Sequence, residues 1–144
     1  HIKKGDIFEF GVFRGNSLIT VALILKKLNS RKKIFGFDSF QGFPSYSKYD
    51  KLNIYNLKYF NKTFIRKYEK FLKFKKNNGL KKITPKSIAT SGDFKNTSYE
   101  SVKKKIDYFK LNNIELIEGD FKKTIPAFFN SIKNNISACN IDCD

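Results

Sequence analysis

Carboxylates recur in this sequence at the ends of short apolar runs. Glu9 lies in Asp6-Ile7-Phe8-Glu9-Phe10-Gly11, and Asp38 closes Ile34-Phe35-Gly36-Phe37-Asp38. Asp120 follows Ile114-Glu115-Leu116-Ile117-Glu118-Gly119, and Asp142 and Asp144 flank Cys143. In an open parallel sheet, a carboxylate at a strand end faces the crevice where ligands bind, and Asp38 there can accept bonds from both hydroxyls of a ribose. Asp120 with the ring of Phe121 can bond and stack an adenine. Each position also has a plain structural role open to it: Asp38 as a loop carboxylate, Asp120 as the cap of the following helix.

The turn Gly11-Val12-Phe13-Arg14-Gly15-Asn16-Ser17 offers a second kind of chemistry. Its glycines let a backbone approach a ligand, and a helix start presents free N–H groups. The spacing lacks the third glycine of a dinucleotide fingerprint, and a ligand-free βα turn explains it equally well. Asp142 and Asp144, on alternate residues at a strand end, could share a site. Two carboxylates suit Mg²⁺ or Ca²⁺, and one could act as a general base. Cys139 and Cys143 form a lone C-x₃-C with His1 the single histidine, which argues against zinc.

Residues 6–13 read as a buried strand, 17–28 as a mostly buried helix with Asn16 or Ser17 as its cap, and 34–38 as a second strand. Strand, helix, strand over roughly thirty residues is a βαβ unit, and it implies a parallel sheet. Residues 39–60 read as an extended, Tyr-rich loop. Residues 61–78 show an amphipathic helical pattern carried by Phe64, Ile65, Tyr68, Phe71, Leu72 and Phe74. Residues 79–97 read as irregular, 98–110 as a Ser-capped helix and 114–118 as a third strand. Residues 122–133 read as a helix with Pro126 in its first turns, and 136–142 as a fourth strand.

The 144 residues include 29 Lys or Arg against 13 Asp or Glu, a formal charge of +16. Lys, Ile, Phe and Asn make up half the chain; all have A/T-rich codons, which weakens the step from positive charge to a nucleic-acid partner. There is no run long and apolar enough for a transmembrane helix. Two cysteines do not make a disulfide framework, so a cytoplasmic location is the expectation. A sequence without Met that opens on His1 and stops within an apparent motif reads as a fragment cut at both ends. Such a piece, a single partial domain over 1–144, is expected to leave the first strand open on one side.

Two runs resemble a known family. Gly5-Asp6-Ile7-Phe8-Glu9-Phe10-Gly11-Val12-Phe13-Arg14-Gly15 with Ser17, then Asp38-Ser39-Phe40-Gln41-Gly42-Phe43-Pro44, is similar to the macrocin O-methyltransferases of the TylF type. Gly92-Asp93-Phe94, Gly119-Asp120-Phe121 with Thr124-Ile125-Pro126, and Ile141-Asp142-Cys143-Asp144 add to the likeness. The resemblance implies a Rossmann-like class I methyltransferase, α/β, of which strands one to four are present. It implies S-adenosylmethionine as methyl donor, Mg²⁺, and a small-molecule or glycan acceptor methylated on a sugar hydroxyl. Glu9, Gly11, Gly15 and Ser17 would surround the methionine end of the cofactor. Asp38 would hold the ribose, Ser39 and Phe40 would line the pocket, and Asp120 and Phe121 would meet the adenine. Asp142 would be a Mg²⁺ ligand and Asp144 the base, with the two roles open to exchange. The family pattern is richer in glycine next to Gly15, where this sequence has Asn16, and its metal site is completed by an Asp-Asp pair after the next strand.

Residues 41–97 match the family weakly and read as a basic, helical lid insertion. They admit a competing function. Cations crowd residues 62–86, and Tyr68, Phe71 and Phe74 among them could stack bases, as in a nucleic-acid-binding protein or an RNA methyltransferase. The helical spacing favours a lid with aromatics inward and lysines in solvent. A homo-oligomer is compatible with either reading.

Overall fold

The computed structural model describes residues 4–43, 61–79, 94–132 and 135–143. The chain divides into two compact units, residues 1–44 with 94–144, and residues 45–93. The first unit is a parallel sheet of four strands: β1 (Asp6–Phe10), β2 (Ile34–Asp38), β3 (Ile114–Glu118) and β4 (Ile136–Ile141), in the order β3-β2-β1-β4. All three pairings are parallel. Helices α1 (Asn16–Lys27), α3 (Tyr99–Tyr108) and α4 (Phe121–Ser131) make the connections within this unit. Helix α2 (Lys62–Asn77) belongs to the second.

Strand alternation sorts the core onto two faces. Ile34, Ile114 and Leu116 share a cluster with Val12, Leu18, Ile19, Ala22 and Leu25 of the first turn and α1, and with Val102 and Ile106 of α3. Phe8, Phe35 and Phe37 point the other way and pack on Phe128 of α4. Gly36 lies on the first face. A Cβ there would come within 2.9 Å of Val12 and 3.0 Å of Leu18, so its bare backbone lets α1 lie close to the sheet.

Several local expectations change. The first strand stops at Phe10 rather than running to residue 13, because Gly11 and Phe13 both take positive φ and turn the chain out of the sheet. The N-cap of α1 is Gly15, which has no side chain, and not Asn16 or Ser17. Helix α4 begins at Phe121, so Pro126 lies past the first turn and forfeits one intrahelical bond on an exposed side of the helix. Strand β1 is not open on one side: it lies between β2 and β4, and among the described residues the sheet's edges are β3 and β4. The exposure falls on β4, where Ile141 is 71% accessible.

In α2 the Asn61 side chain caps the helix by accepting from the Phe64 N–H at 2.8 Å. Ile65, Tyr68, Phe71 and Leu72 are half-buried, whereas Phe64 and Phe74 face solvent, Phe74 at 62% exposure. The expected inward aromatic face is therefore narrower than the pattern suggested. Most of the proposed lid, residues 44–60 and 80–93, lies outside the described residues, and with it Tyr46, Tyr49, Tyr55, Tyr59 and Asp93.

Candidate cofactor and active site

Parallel pairing brings the strand ends to one edge. Across the sheet, Asp120 follows β3, Asp38 ends β2, Glu9 is the penultimate residue of β1, and Asp142 follows β4. Each of the four neighbouring strands thus delivers a carboxylate to the same edge, in a chain whose net charge is +16.

Glu9 is the most buried of these, at 3% exposure. Its register partners are Gly36 on one side and Asn140 on the other. The Ser17 hydroxyl donates to its Oε1 at 2.6 Å, and the Asn140 side chain and the Leu18 N–H also bond to the carboxyl group. Glu9 therefore reaches from the strand to the open start of α1, where the Gly15 cap leaves N–H groups without a local side-chain acceptor. Burial pushes the Glu9 carboxyl above its ordinary range. The hydrogen bonds from Ser17, Asn140 and Leu18 oppose this, and the negative charge of Asp142 adds to it.

Asp38 ties two loops together. Its Oδ2 accepts the Phe13 N–H and its Oδ1 the Phe40 N–H, both at 2.7 Å. Phe13 and Phe40 both sit in the left-handed region, at φ 49° and 52°, which costs an L-residue of this size about 1–2 kcal/mol. Two charge-assisted bonds to one carboxylate offset that cost. An ionised carboxylate has about four acceptor positions, so an acceptor position remains on each oxygen.

Ser39 accepts the Gln41 N–H at 3.3 Å and donates to the Gly42 carbonyl at 2.6 Å, closing the turn after β2. The Phe40 ring is 3% exposed and meets Tyr99 edge-on at 5.6 Å within the core, so this residue presents backbone rather than ring to the loop surface. Asp120 caps α4, accepting the Lys122 N–H at 2.8 Å. Phe121 is half-buried and edge-on to Phe10 at 6.1 Å.

Gly11 and Gly15 are required by close approaches. Gly11 has φ 90°, and a Cβ on it would fall 1.9 Å from the Asp142 carbonyl oxygen, while the Asp142 N–H donates to Phe10 at 2.9 Å. Gly15 has φ 75°, and a Cβ there would meet Val102 of α3 at 2.8 Å. The first brings the ends of β1 and β4 together, and the second sets α1 against α3.

Asp142 is exposed, and Asp144 lies outside the described residues. Among the described residues no group of three or more His, Cys, Asp or Glu side chains could hold a metal ion, and Cys139 and Cys143 are unpaired and exposed. No helix among them is long and apolar enough to cross a membrane.

Sequence reasoning missed Asn140, which the alternation places on the Glu9 face but which only the β1–β4 register sets beside Glu9. It also missed Phe13, whose ring meets Phe94 edge-on at 5.3 Å, with Phe94 in turn 5.1 Å from Phe43. Thr97 donates its hydroxyl to the Phe13 carbonyl, which anchors the segment before α3 to the turn after β1.

A parallel β3-β2-β1-β4 sheet with helices on both faces and ligand-type carboxylates at its C-terminal edge defines a Rossmann-like fold of the methyltransferase type. The chain belongs to the macrocin-O-methyltransferase (TylF) family, whose model matches residues 2–74. Solved structures that share the fold include two methyltransferases. The calicheamicin methyltransferase CalS11 has a TM-score of 0.62 and 21% identity, over 96% of this chain and 46% of that one. The O-methyltransferase NovP has a TM-score of 0.56 and 19% identity, over 96% of this chain and 45% of that one. This chain thus spans about half the length of the structures it matches. No curated protein sequence matches it.

Proposed function

We propose that this chain carries the S-adenosylmethionine-binding strands of an O-methyltransferase that acts on a sugar hydroxyl of a small molecule or glycan. The observation that carries the reading is the row of four carboxylates at the strand ends. S-adenosylmethionine is a sulfonium cation, and an acidic edge suits it better than it suits a dinucleotide, whose pyrophosphate would be repelled. The TylF family match points the same way.

Asp38 offers its two remaining acceptor positions to the ribose hydroxyls. Asp120 and Phe121 stand at the adenine end. Gly11, Gly15, Glu9 and Ser17 frame the methionine end, where α1 begins. The donor carbon is already electrophilic, so the enzyme's task is to align the acceptor oxygen with it and to remove the proton. We assign that proton to Asp144. We assign Mg²⁺ to Asp142, but the described residues do not close a metal site around it, so no step is derived through a metal. A cytoplasmic location belongs to the same proposal and is in keeping with two exposed, unpaired cysteines.

The test is calorimetry of the full-length protein with S-adenosylhomocysteine, followed by methyl transfer from labelled S-adenosylmethionine to sugar acceptors. Binding at one site per chain and label on a sugar oxygen are expected. Absence of cofactor binding overturns the reading. Undiminished transfer in excess chelator removes the Mg²⁺ assignment alone.

A further inference from the structure

Arg14 is one of three arginines among 29 cations in a chain where lysine is the usual basic residue. It stands between Phe13, which donates to Asp38, and Gly15, the cap of α1. Its guanidinium lies over the Phe13 ring with Cζ 5.1 Å from the centroid. Its Nε donates to the Asn96 carbonyl at 3.1 Å, and its own carbonyl accepts Lys105 Nζ at 2.8 Å. Neither Nη has a hydrogen bond, and no carboxylate pairs with the group, among the described residues.

The exposed side chain is thus held by a ring on one side and a carbonyl on the other, while its four Nη–H donors have no partner among the described residues. A lysine can also sit over a ring, as Lys75 does over Phe71 at 5.5 Å, but it cannot present a planar fork. Holding the guanidinium in advance removes much of the ordering cost of binding, and the fork matches a carboxylate or phosphate. The neighbouring ammonium of Lys105 raises the local positive potential.

We propose that Arg14 recognises an oxyanion of the bound ligands. The inference rests on the methyltransferase reading for its ligands, and two sources share the chemistry: the α-carboxylate of the cofactor's amino-acid end, and a phosphate on the acceptor or its carrier. The experiment is calorimetry of the full-length protein and its Arg14→Ala and Arg14→Lys variants with three probes: S-adenosylhomocysteine, 5′-methylthioadenosine, which lacks the amino-acid carboxylate, and inorganic pyrophosphate. If the carboxylate is the ligand, Arg14→Ala weakens S-adenosylhomocysteine about ten- to a hundredfold, the loss of a charge-assisted bond, and leaves methylthioadenosine unchanged. Arg14→Lys recovers part of that loss. If a phosphate is the ligand, the cofactor probes are unchanged, and pyrophosphate binds the wild type and is lost in Arg14→Ala. Equal affinities of wild type and Arg14→Ala for all three probes overturn the proposal, as does an equal loss for both adenosyl probes. Should the wild type bind neither adenosyl compound, the cofactor reading fails, and pyrophosphate alone decides Arg14.

Discussion

The two faces of the sheet are built differently. Beneath α4 the core is aromatic: Phe8 stacks on Phe35 at 5.1 Å and meets Phe128 edge-on at 6.0 Å, and Phe37 meets Phe128 at 5.2 Å. Beneath α1 and α3 the core is mainly aliphatic, with Leu18, Ile19, Ala22, Ile34, Val102 and Ile106. Glu9, Asp38 and Gly36 belong to this second face, and from it Glu9 and Asp38 bond Ser17 and Phe13 of the segment after β1. Large rings fill one side with few residues and no polar side chain among its fully packed members. Small side chains on the other allow α1 to approach closely enough for Glu9 to reach its first turn. One face serves mainly for packing, and the other also positions the site.

Truncating a ring should separate the faces most sharply. Phe8→Ala is expected to cost about 3–5 kcal/mol, whereas Ile19→Val on the aliphatic face should cost about 0.5–1.5 kcal/mol. Chemical denaturation of the two variants checks this, and equal losses would erase the contrast.

Next in size is Gly11→Ala. It places a methyl group against the Asp142 carbonyl and forces a left-handed alanine, for an expected loss of about 3 kcal/mol. A melt matching that of the wild type would show that the β1–β4 junction yields.

Asp38→Asn tests the loop tie. The amide retains one acceptor but turns a donor toward one of two backbone N–H groups, at an expected cost of about 1–3 kcal/mol. Amide exchange should accelerate at Phe13 or Phe40. Protection unchanged at both would remove the tie.

Glu9 makes the site face pH-sensitive. Its carboxyl is raised in the folded chain, so between the unfolded value near 4.5 and the folded one the native state holds more protons than the unfolded state. Stability from this group is therefore greatest below the unfolded pKa and falls as pH rises through the folded one. Denaturation midpoints measured across pH 4 to roughly 7 should show this component in the wild type and not in Glu9→Gln. An identical slope in both would assign it elsewhere. The smallest effect is expected outside both faces: Phe74→Ser on α2 should stay within about 0.5 kcal/mol, since the ring is already in water.

Much of this arrangement was legible before any coordinates. Strands at 34–38 and 114–118 match the pattern residue for residue: the first is a short apolar run closed by Asp38 and almost wholly buried, and the second places half-buried Ile114 and Leu116 on alternate positions of one sheet face. The run at 6–10 likewise showed a strand, though not its end, since left-handed Phe13 follows from the tie to Asp38, 25 residues away. The carboxylates at strand ends were visible as residues. What each one touches was not.

By itself, the order of apolar runs and the glycine turn after the first strand determined a parallel α/β sheet, because local burial and turn chemistry operate over a few residues, while the methyltransferase type was implied only by the family resemblance of the Asp-Ser-Phe-Gln-Gly-Phe-Pro segment. Only the tertiary structure decided that β1 lies inside the sheet between β2 and β4, that Gly15 and not Asn16 or Ser17 caps α1 while Glu9 bonds Ser17 and Leu18 in its first turn, and that Asp38 holds the left-handed Phe13. It also decided that Arg14 lies against Phe13 and Asn96, with no carboxylate paired to it among the described residues. These depend on strand register and helix approach, which bring together residues 8, 25 and 82 positions apart and leave no periodic trace along the chain.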